Sequence, residues 1–373
     1  MKILVVAHEY PPQGGGAGIV AKQFISDLSS VHEIDIVTKK SLNVENIKGV
    51  TIHQVKLVRG LWFFCYLWYF IKNIKLEEYD CIVANDAISL YLCGSLLPKK
   101  IIKKTICLLH GSEPEYAYID QSFLKRLLFT KFVFKRLFLN CKKIFSHSNY
   151  MKKKILSCRD FKKLNVACKV EVSYFGYNEK LFYFSKSKED FDIKNIHGIE
   201  PKNRILVSAS RIVAKKGYER KLKLFKRILK INDNYHWIII GDGDYKNELI
   251  NLIRESGLEN KISLVSKIEQ HLLRYYYSQS DLFWLLSEYK ESFGLVYIES
   301  QACGTPVLGP NQFGVKESID NFNTGLLSNN DEEIINYIIL SKYKNCRVKE
   351  LILFSSNFSS INFSKRLELE FAK

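Results

Sequence analysis

Two carboxylates, Glu291 and Glu299, stand eight residues apart with Phe293-Gly294 between them. A carboxylate accepts hydrogen bonds from hydroxyls in pairs. Gly294 has no side chain, so a ligand can approach its backbone closely, and the residues after it read as a helix start, whose free N–H groups suit a phosphate. On a helix the eight residues would rise about 12 Å, comparable to the span of a nucleotide sugar. One carboxylate would then hold sugar hydroxyls and the other ribose hydroxyls, with a diphosphate on the amides between them. Upstream, Ser210-Arg211-Ile212-Val213-Ala214-Lys215-Lys216-Gly217 carries Arg211 and Lys216 at short spacing. A guanidinium bonds two oxygens at once and an ammonium acts as a point charge, so Arg211 and Lys216 can neutralise a diphosphate without a metal. In the N-terminal half, His110 ends an apolar run, and Gly15 and Gly16 sit in a glycine-rich turn that is a generic phosphate cradle. Each feature also has a plainer reading: two solvated acids, two surface cations, a structural histidine, a tight turn.

These residues need elements to position them. Apolar runs read as strands at Lys2 to Ala7, Glu33 to Thr38, Val50 to Val55, Asp80 to Ala84, Lys104 to Leu109, Lys143 to His147 and Val170 to Phe175. A second series runs through Arg204 to Ala209, His236 to Ile240, Ile262 to Val265, Asp281 to Leu286 and Thr305 to Leu308. Helical patterns alternate with them, which predicts α/β architecture with parallel sheets covered on both faces. His110 then lies at the C-terminal end of a parallel strand, where such sheets build their sites. The predicted division is a first domain over 1–184, a polar linker over 185–203, a second domain over 204–355 and a terminal amphipathic helix over 356–373.

The net charge of +17 admits nucleic acid, an anionic membrane or an anionic substrate as partner. No zinc finger, helix-turn-helix or RNA-binding aromatic signature accompanies it, so nucleic acid is not expected. No run reaches the roughly 18 to 20 apolar residues of a membrane span. The start reads as a first strand rather than a signal peptide, because His8-Glu9 interrupts the apolar run early. Nine scattered cysteines without a CxxC fit a reducing cytosol and no zinc site. Leu61 to Ile71 is aromatic and uncharged; it is either a buried helix, the preferred reading, or a face for a lipid interface. From Phe123 to Lys163 cations dominate, and within Phe123 to Leu139 they interleave with Leu, Phe and Val. That pattern suits an amphipathic helix docking to anionic lipid, or an ordinary solvated face.

Taken in order, Glu291-x7-Glu299 with Phe293-Gly294 inside and Ala302-Cys303-Gly304-Thr305-Pro306-Val307 after it resembles the signature of family 4 retaining glycosyltransferases. Arg211 and Lys216 match the family's Gly-Arg-Leu-x-x-x-Lys-Gly, with Ser210 replacing the glycine. Pro11-Pro12-Gln13-Gly14-Gly15-Gly16 is similar to its Pro-Pro-x-x-Gly-Gly loop. Where the family often shows Asn-Gly-x-Asp, this chain has Phe175-Gly176-Tyr177-Asn178. The resemblance implies two Rossmann-like doubly wound domains facing across a cleft, the GT-B arrangement, with the last helix crossing back to the first domain. It implies a nucleotide-diphosphate sugar donor, a UDP-sugar foremost, with no cofactor and no metal. Glu299 would hold the ribose and Glu291 the donor sugar. Arg211, Lys216 and the amides near Gly294 and Leu295 would stabilise the leaving diphosphate. Phe293 and Ile268 complete the donor site, the base lying against backbone at Ile268, and Gly15 and Gly16 lie over the phosphates. His110 would contact the donor sugar near the reacting carbon. Class and charge together suggest a glycan or lipid-linked glycan acceptor in bacterial surface polysaccharide or lipopolysaccharide assembly, and a cytoplasmic protein peripheral on the inner membrane face. Two competing readings are an NAD-dependent oxidoreductase built on the N-terminal glycine loop and a non-catalytic carbohydrate or nucleotide binder of the same fold. The first leaves Arg211, Lys216 and both glutamates unexplained.

Overall fold

Short aliphatic runs without polar alternation suit central strands of parallel sheets, which are buried on both faces, and among the described residues thirteen strands pair into two parallel sheets. The computed structural model describes residues 1–12, 15–111, 113, 115–119, 122–163, 166–185 and 191–372. The chain divides into two compact units, Met1–Gly176 with Ser360–Lys373, and Tyr177–Ser359.

The first unit holds β1 (Lys2–Val6), β2 (Glu33–Lys39), β3 (Val50–Val55), β4 (Cys81–Ala84), β5 (Thr105–Leu109), β6 (Lys143–Ser146) and β7 (Val170–Val172). Their order across the sheet is β3-β2-β1-β4-β5-β6-β7, all parallel. The second unit holds β8 (Arg204–Ala209), β9 (Tyr235–Ile240), β10 (Ile262–Val265), β11 (Leu282–Trp284), β12 (Val307–Gly309) and β13 (Gly325–Leu327), in the order β10-β9-β8-β11-β12-β13, also parallel. In each sheet the winding reverses once, between β1 and β4 and between β8 and β11. Loops that leave neighbouring strands on opposite sides of such a reversal open a crevice at the strands' C-terminal ends.

The last helix, Ser360–Phe371, belongs to the first unit and packs beside the Gly16–Leu28 helix. Phe363 sits edge-on to Phe24 with ring centres 6.0 Å apart, and the Ser364 hydroxyl donates to Asp27 at 2.9 Å. Arg366 pairs with Glu171, and the His32 Nε2 lies 3.0 Å from Glu368. Part of the expected linker, residues 186–190, lies outside the described residues. Beyond it the chain is packed into the second unit: Ile193 is buried, the Phe191 ring stacks on Tyr275 at 5.1 Å, and the Gln279 side chain accepts from the Ile193 N–H at 3.2 Å.

The aromatic stretch near residue 65 is a helix, Trp62–Asn73, but burial is only half right. Tyr66 and Phe70 enter the core, while Phe64, Trp68 and Ile71 are exposed, Trp68 to 62% and Ile71 to 76%. The basic stretch is likewise not one helix. It breaks into Phe123–Leu127 and Thr130–Asn140 around Phe129, which takes a left-handed backbone (φ +50°). Val133, Phe134, Leu137 and Phe138 face the core, whereas Phe123, Leu127, Phe129 and Phe132 are exposed.

Among the described residues, one lysine is buried in the core of the second unit. Lys221, on the Tyr218–Ile231 helix, is fully buried, its ammonium nitrogen 4.2 Å from the Tyr218 ring centre and 5.0 Å from that of Trp237. Its hydrogen-bond acceptor is the Ser208 hydroxyl at 3.0 Å. Burial drives its pKa well below 10.5, with Lys216 adding to the effect. With its folded pKa below the unfolded value, this residue makes stability rise with pH up to that unfolded value. Lys221→Met removes the penalty and leaves Ser208 bonded to Trp284 and Trp237. The variant is expected to melt about 2–4 °C higher near neutral pH, with the gap narrowing as the pH approaches 10.5. Thermal melts across that range check the prediction; a lower melting temperature at neutral pH would contradict it.

Candidate active site

In the second unit, the loop after β8 carries Arg211 and Lys216, and the loop after β11 carries Glu291. These two strands flank the winding reversal, so their loops share one crevice. The loops interlock through backbone. The Glu288 N–H donates to the Lys215 carbonyl at 2.9 Å, and the Gly314 N–H to the Glu291 carbonyl at 3.0 Å. Gly217 (φ +69°) must be glycine, because a Cβ there would collide with the Leu286 carbonyl. Gly294 (φ +97°) caps the Leu295–Ala302 helix, and a Cβ would lie 2.7 Å from the Tyr297 ring. Both glycines therefore serve the packing of the loops themselves.

Lys216 and Glu291 form an ion pair, and the Ser287 hydroxyl donates to the same carboxylate oxygen at 3.0 Å. Arg211 is exposed, and among the described residues no hydrogen bond or ion pair engages its guanidinium. A guanidinium without a protein partner among the described residues, on the same loop as Lys216, can take an anionic ligand. Phe293 is buried against Phe358, ring centres 5.1 Å apart, so it supports the loop from behind. Leu295 is half-buried at the helix start, and Ile268 is half-buried just past β10, at the far edge of the sheet from β11.

Glu299 lies one turn into the helix, half-buried, and no hydrogen bond among the described residues joins it to Glu291, Arg211 or Lys216. Burial pushes its carboxyl up to about 7, with the Tyr277 hydroxyl working against the shift. The about 12 Å helical rise between the two glutamates does not apply, because Glu291 sits in the loop before the helix begins at Leu295.

In the first unit a second set of residues collects at the ends of β1, β4 and β5. The Gly15 N–H donates to Glu9 at 2.8 Å, and Gly15 caps the Gly16–Leu28 helix. Gly16 is exposed, with nothing within 4 Å of where a Cβ would stand. Asp86 accepts from the Ser89 N–H at 2.9 Å, capping the Ala87–Leu96 helix, and from the Glu9 N–H at 3.1 Å. Its burial raises its pKa to about 6. His110 Nε2 lies 3.2 Å from the Asn85 side-chain oxygen, and burial lowers the imidazole to about 3. Glu113, also buried, accepts from the His110 N–H at 3.0 Å and the Gly111 N–H at 2.7 Å. Phe175, standing where the resemblance suggested asparagine, stacks on His147 at 4.7 Å and lies 4.8 Å from the His110 ring. The packing role there is aromatic rather than a hydrogen bond.

Asn85, Glu113, Ser287 and His147 had not been singled out. Asn85-Asp86 followed by Ser89 was a legible helix cap at a strand end. The pairing of Asn85 with a residue 25 positions later had no local signal.

Residues 14–174 match the family described as Glycosyltransferase Family 4, and residues 189–344 match Glycosyl transferases group 1. The chain is similar, at 25% identity over 86% of its length and 83% of the relative's, to an uncharacterized glycosyltransferase of Methanocaldococcus jannaschii. It is 23% identical to the alpha-monoglucosyldiacylglycerol synthase of Streptococcus pneumoniae over 98% of this chain and 84% of that one. Among solved structures, HepE of Anabaena in complex with UDP-glucose superposes with a TM-score of 0.76 at 18% identity, covering 100% of this chain and 99% of that one.

Proposed function

The chain belongs to the family 4 glycosyltransferases, of GT-B fold, and on that footing we propose that it is a retaining enzyme using a nucleotide-diphosphate sugar, a UDP-sugar foremost. The observation that carries this reading is the ion pair of Lys216 with Glu291 between the loops that leave β8 and β11 on either side of the winding reversal, the first of which also carries Arg211. When a donor binds, Lys216 exchanges part of its contact with Glu291 for the diphosphate, Arg211 takes a second phosphate position, and Glu291 turns to the sugar hydroxyls. Glu299 holds the ribose, its carboxylate accepting from ribose hydroxyls beside the Tyr277 hydroxyl. His110 contacts the donor sugar near the reacting carbon.

The bond from the sugar to the diphosphate then breaks while two cations and the amides at Gly294 and Leu295 take up the departing charge. The acceptor hydroxyl attacks from the same face, and its proton passes to the departing phosphate oxygen, so no dedicated base is needed and configuration is retained. The cations do the neutralising in this scheme, and transfer proceeds without a metal. Release of nucleoside diphosphate from a panel of sugar nucleotides, with and without EDTA, tests it. Release unaffected by EDTA is expected; no release from any donor would reject the reading.

For the acceptor, a lipid-linked glycan at the inner membrane face is supported by two features of the first unit. Exposed Phe64, Trp68 and Ile71 stand on one helix; exposed Phe123, Leu127, Phe129 and Phe132 stand among Lys125, Arg126, Lys131 and Lys135. Aromatic side chains with interleaved cations fit an anionic lipid interface. No described helix is long and apolar enough to cross a membrane. A relative named alpha-monoglucosyldiacylglycerol synthase is consistent with a lipid acceptor. The chain is expected to float with vesicles containing anionic lipid and to stay behind with neutral ones. Trp68→Ser with Phe129→Ser should shift most of it to the soluble fraction. Recovery in the soluble fraction under all conditions would contradict membrane docking.

A further inference from the structure

The Asn85 side chain lies between two partners that differ in what they can do. Its amide nitrogen donates to the Ala17 carbonyl at 2.9 Å, and its oxygen lies 3.2 Å from His110 Nε2. A backbone carbonyl only accepts, so the amide must present its NH2 group to Ala17. The amide oxygen therefore faces the imidazole, and it can only accept there. His110 Nε2 must be the nitrogen that carries the proton. Asn85 is itself completely buried, and its own N–H donates to the Val6 carbonyl at 3.0 Å, which anchors its backbone at the strand end.

We propose that Asn85 is the positioning residue for His110: it holds the ring as the Nε2–H tautomer and leaves Nδ1 as the lone-pair nitrogen. The same side chain ties the ring to Ala17, in the first turn of the helix that follows Gly15 and Gly16. Glu113 clamps the backbone of the same loop by accepting from the His110 and Gly111 N–H groups. Ring and main chain are thus fixed by separate buried groups. The burial that keeps the imidazole neutral agrees with this arrangement.

The consequence concerns what His110 can recognise. A neutral imidazole with Nδ1 as its lone-pair atom accepts a hydrogen bond and offers no positive charge. It suits a hydroxyl that donates, as a sugar provides, and not a phosphate oxygen or a carboxylate, which are acceptors only. This deepens the proposed function and rests on its assignment of His110 to the donor sugar.

The test reads the tautomer first and turnover second. The full chain is labelled with 15N in its histidines, and His110 is assigned by comparison with His110→Gln. Two-bond proton–nitrogen correlations are then expected to show a protonated Nε2 and an unprotonated Nδ1. Asn85→Leu, which removes both bonds, should turn this pattern into a tautomer mixture. Asn85→Asp keeps an acceptor for the Nε2–H and should keep Nε2 protonated. Turnover should fall about a hundredfold in Asn85→Leu with the donor KM little changed, and recover in part in Asn85→Asp. An Nδ1–H pattern in the unaltered protein overturns the proposal with no variant needed. So does an Asn85→Leu protein that keeps the Nε2–H pattern. Both readings stand whether or not any sugar nucleotide is turned over, so they separate failure of the lock from failure of the proposed reaction. A lost tautomer with unchanged turnover would overturn the positioning role.

Discussion

Lys216→Ala is expected to lower donor turnover by about a hundred- to a thousandfold, the usual cost of removing one group that stabilises developing charge. In the unliganded protein Lys216 is paired with Glu291, and Ser287 already satisfies part of that carboxylate. The lysine can therefore move to a diphosphate without leaving Glu291 bare. Taking it away removes charge from the leaving group and frees Glu291 to repel the donor's own phosphates, so both kcat and donor affinity should suffer. Arg211→Ala should cost a similar factor, mainly in kcat, because among the described residues no hydrogen bond or ion pair engages its guanidinium. Lys216→Arg should not restore full rate, since a planar fork does not replace a point charge. Steady-state kinetics of the three variants, with melting temperatures to confirm folding, decide the matter. Near-normal turnover in Lys216→Ala and Arg211→Ala would be incompatible with the proposal.

The second large effect should come from pH. Glu299 is raised to about 7 by burial. A carboxylate that accepts from ribose hydroxyls works best ionised, so nucleotide affinity should rise about tenfold from about pH 6 to about pH 8 as the group loses its proton. Glu299→Gln should flatten that dependence and bind more weakly at the upper end. The stability of the unliganded protein should move in the opposite sense. With the folded pKa above the unfolded 4.5, Glu299 contributes stability fully present below 4.5 and lost as the pH rises through about 7. Glu299→Gln should therefore shrink the loss of melting temperature across that window. Nucleotide titrations and melts at matched pH values test both halves; identical pH profiles for the two proteins would remove Glu299 from the site.

Much of the architecture was readable because parallel strands announce themselves. Runs such as Lys2 to Val6 and Tyr235 to Ile240 have no polar alternation, and glycine-rich turns follow them. Since α/β sites lie at strand ends, the loops bearing Arg211, Lys216 and Glu291 could be named before their partners were known. What could not be read is what depends on distant residues. The Asn85–His110 contact joins two strand ends through the order of the sheet. The Trp62–Asn73 helix is apolar on most sides, so periodicity could not say which aromatics face inward. The break at Phe129, a left-handed residue, has no glycine or proline to mark it. Residues after 190 looked like a polar linker, yet a few apolar anchors such as Ile193 are enough to fix them to the second unit.

The central claim is that the loop after β8 grips a nucleoside diphosphate through Arg211 and Lys216. Calorimetric titration of the full chain with UDP, GDP, ADP and dTDP, each beside its own nucleoside, tests this most directly. The account predicts that at least one diphosphate binds far more tightly than its nucleoside, and that this preference disappears when Arg211 and Lys216 are both replaced by alanine. Failure of every diphosphate to bind, or a preference that survives the double replacement, would contradict it.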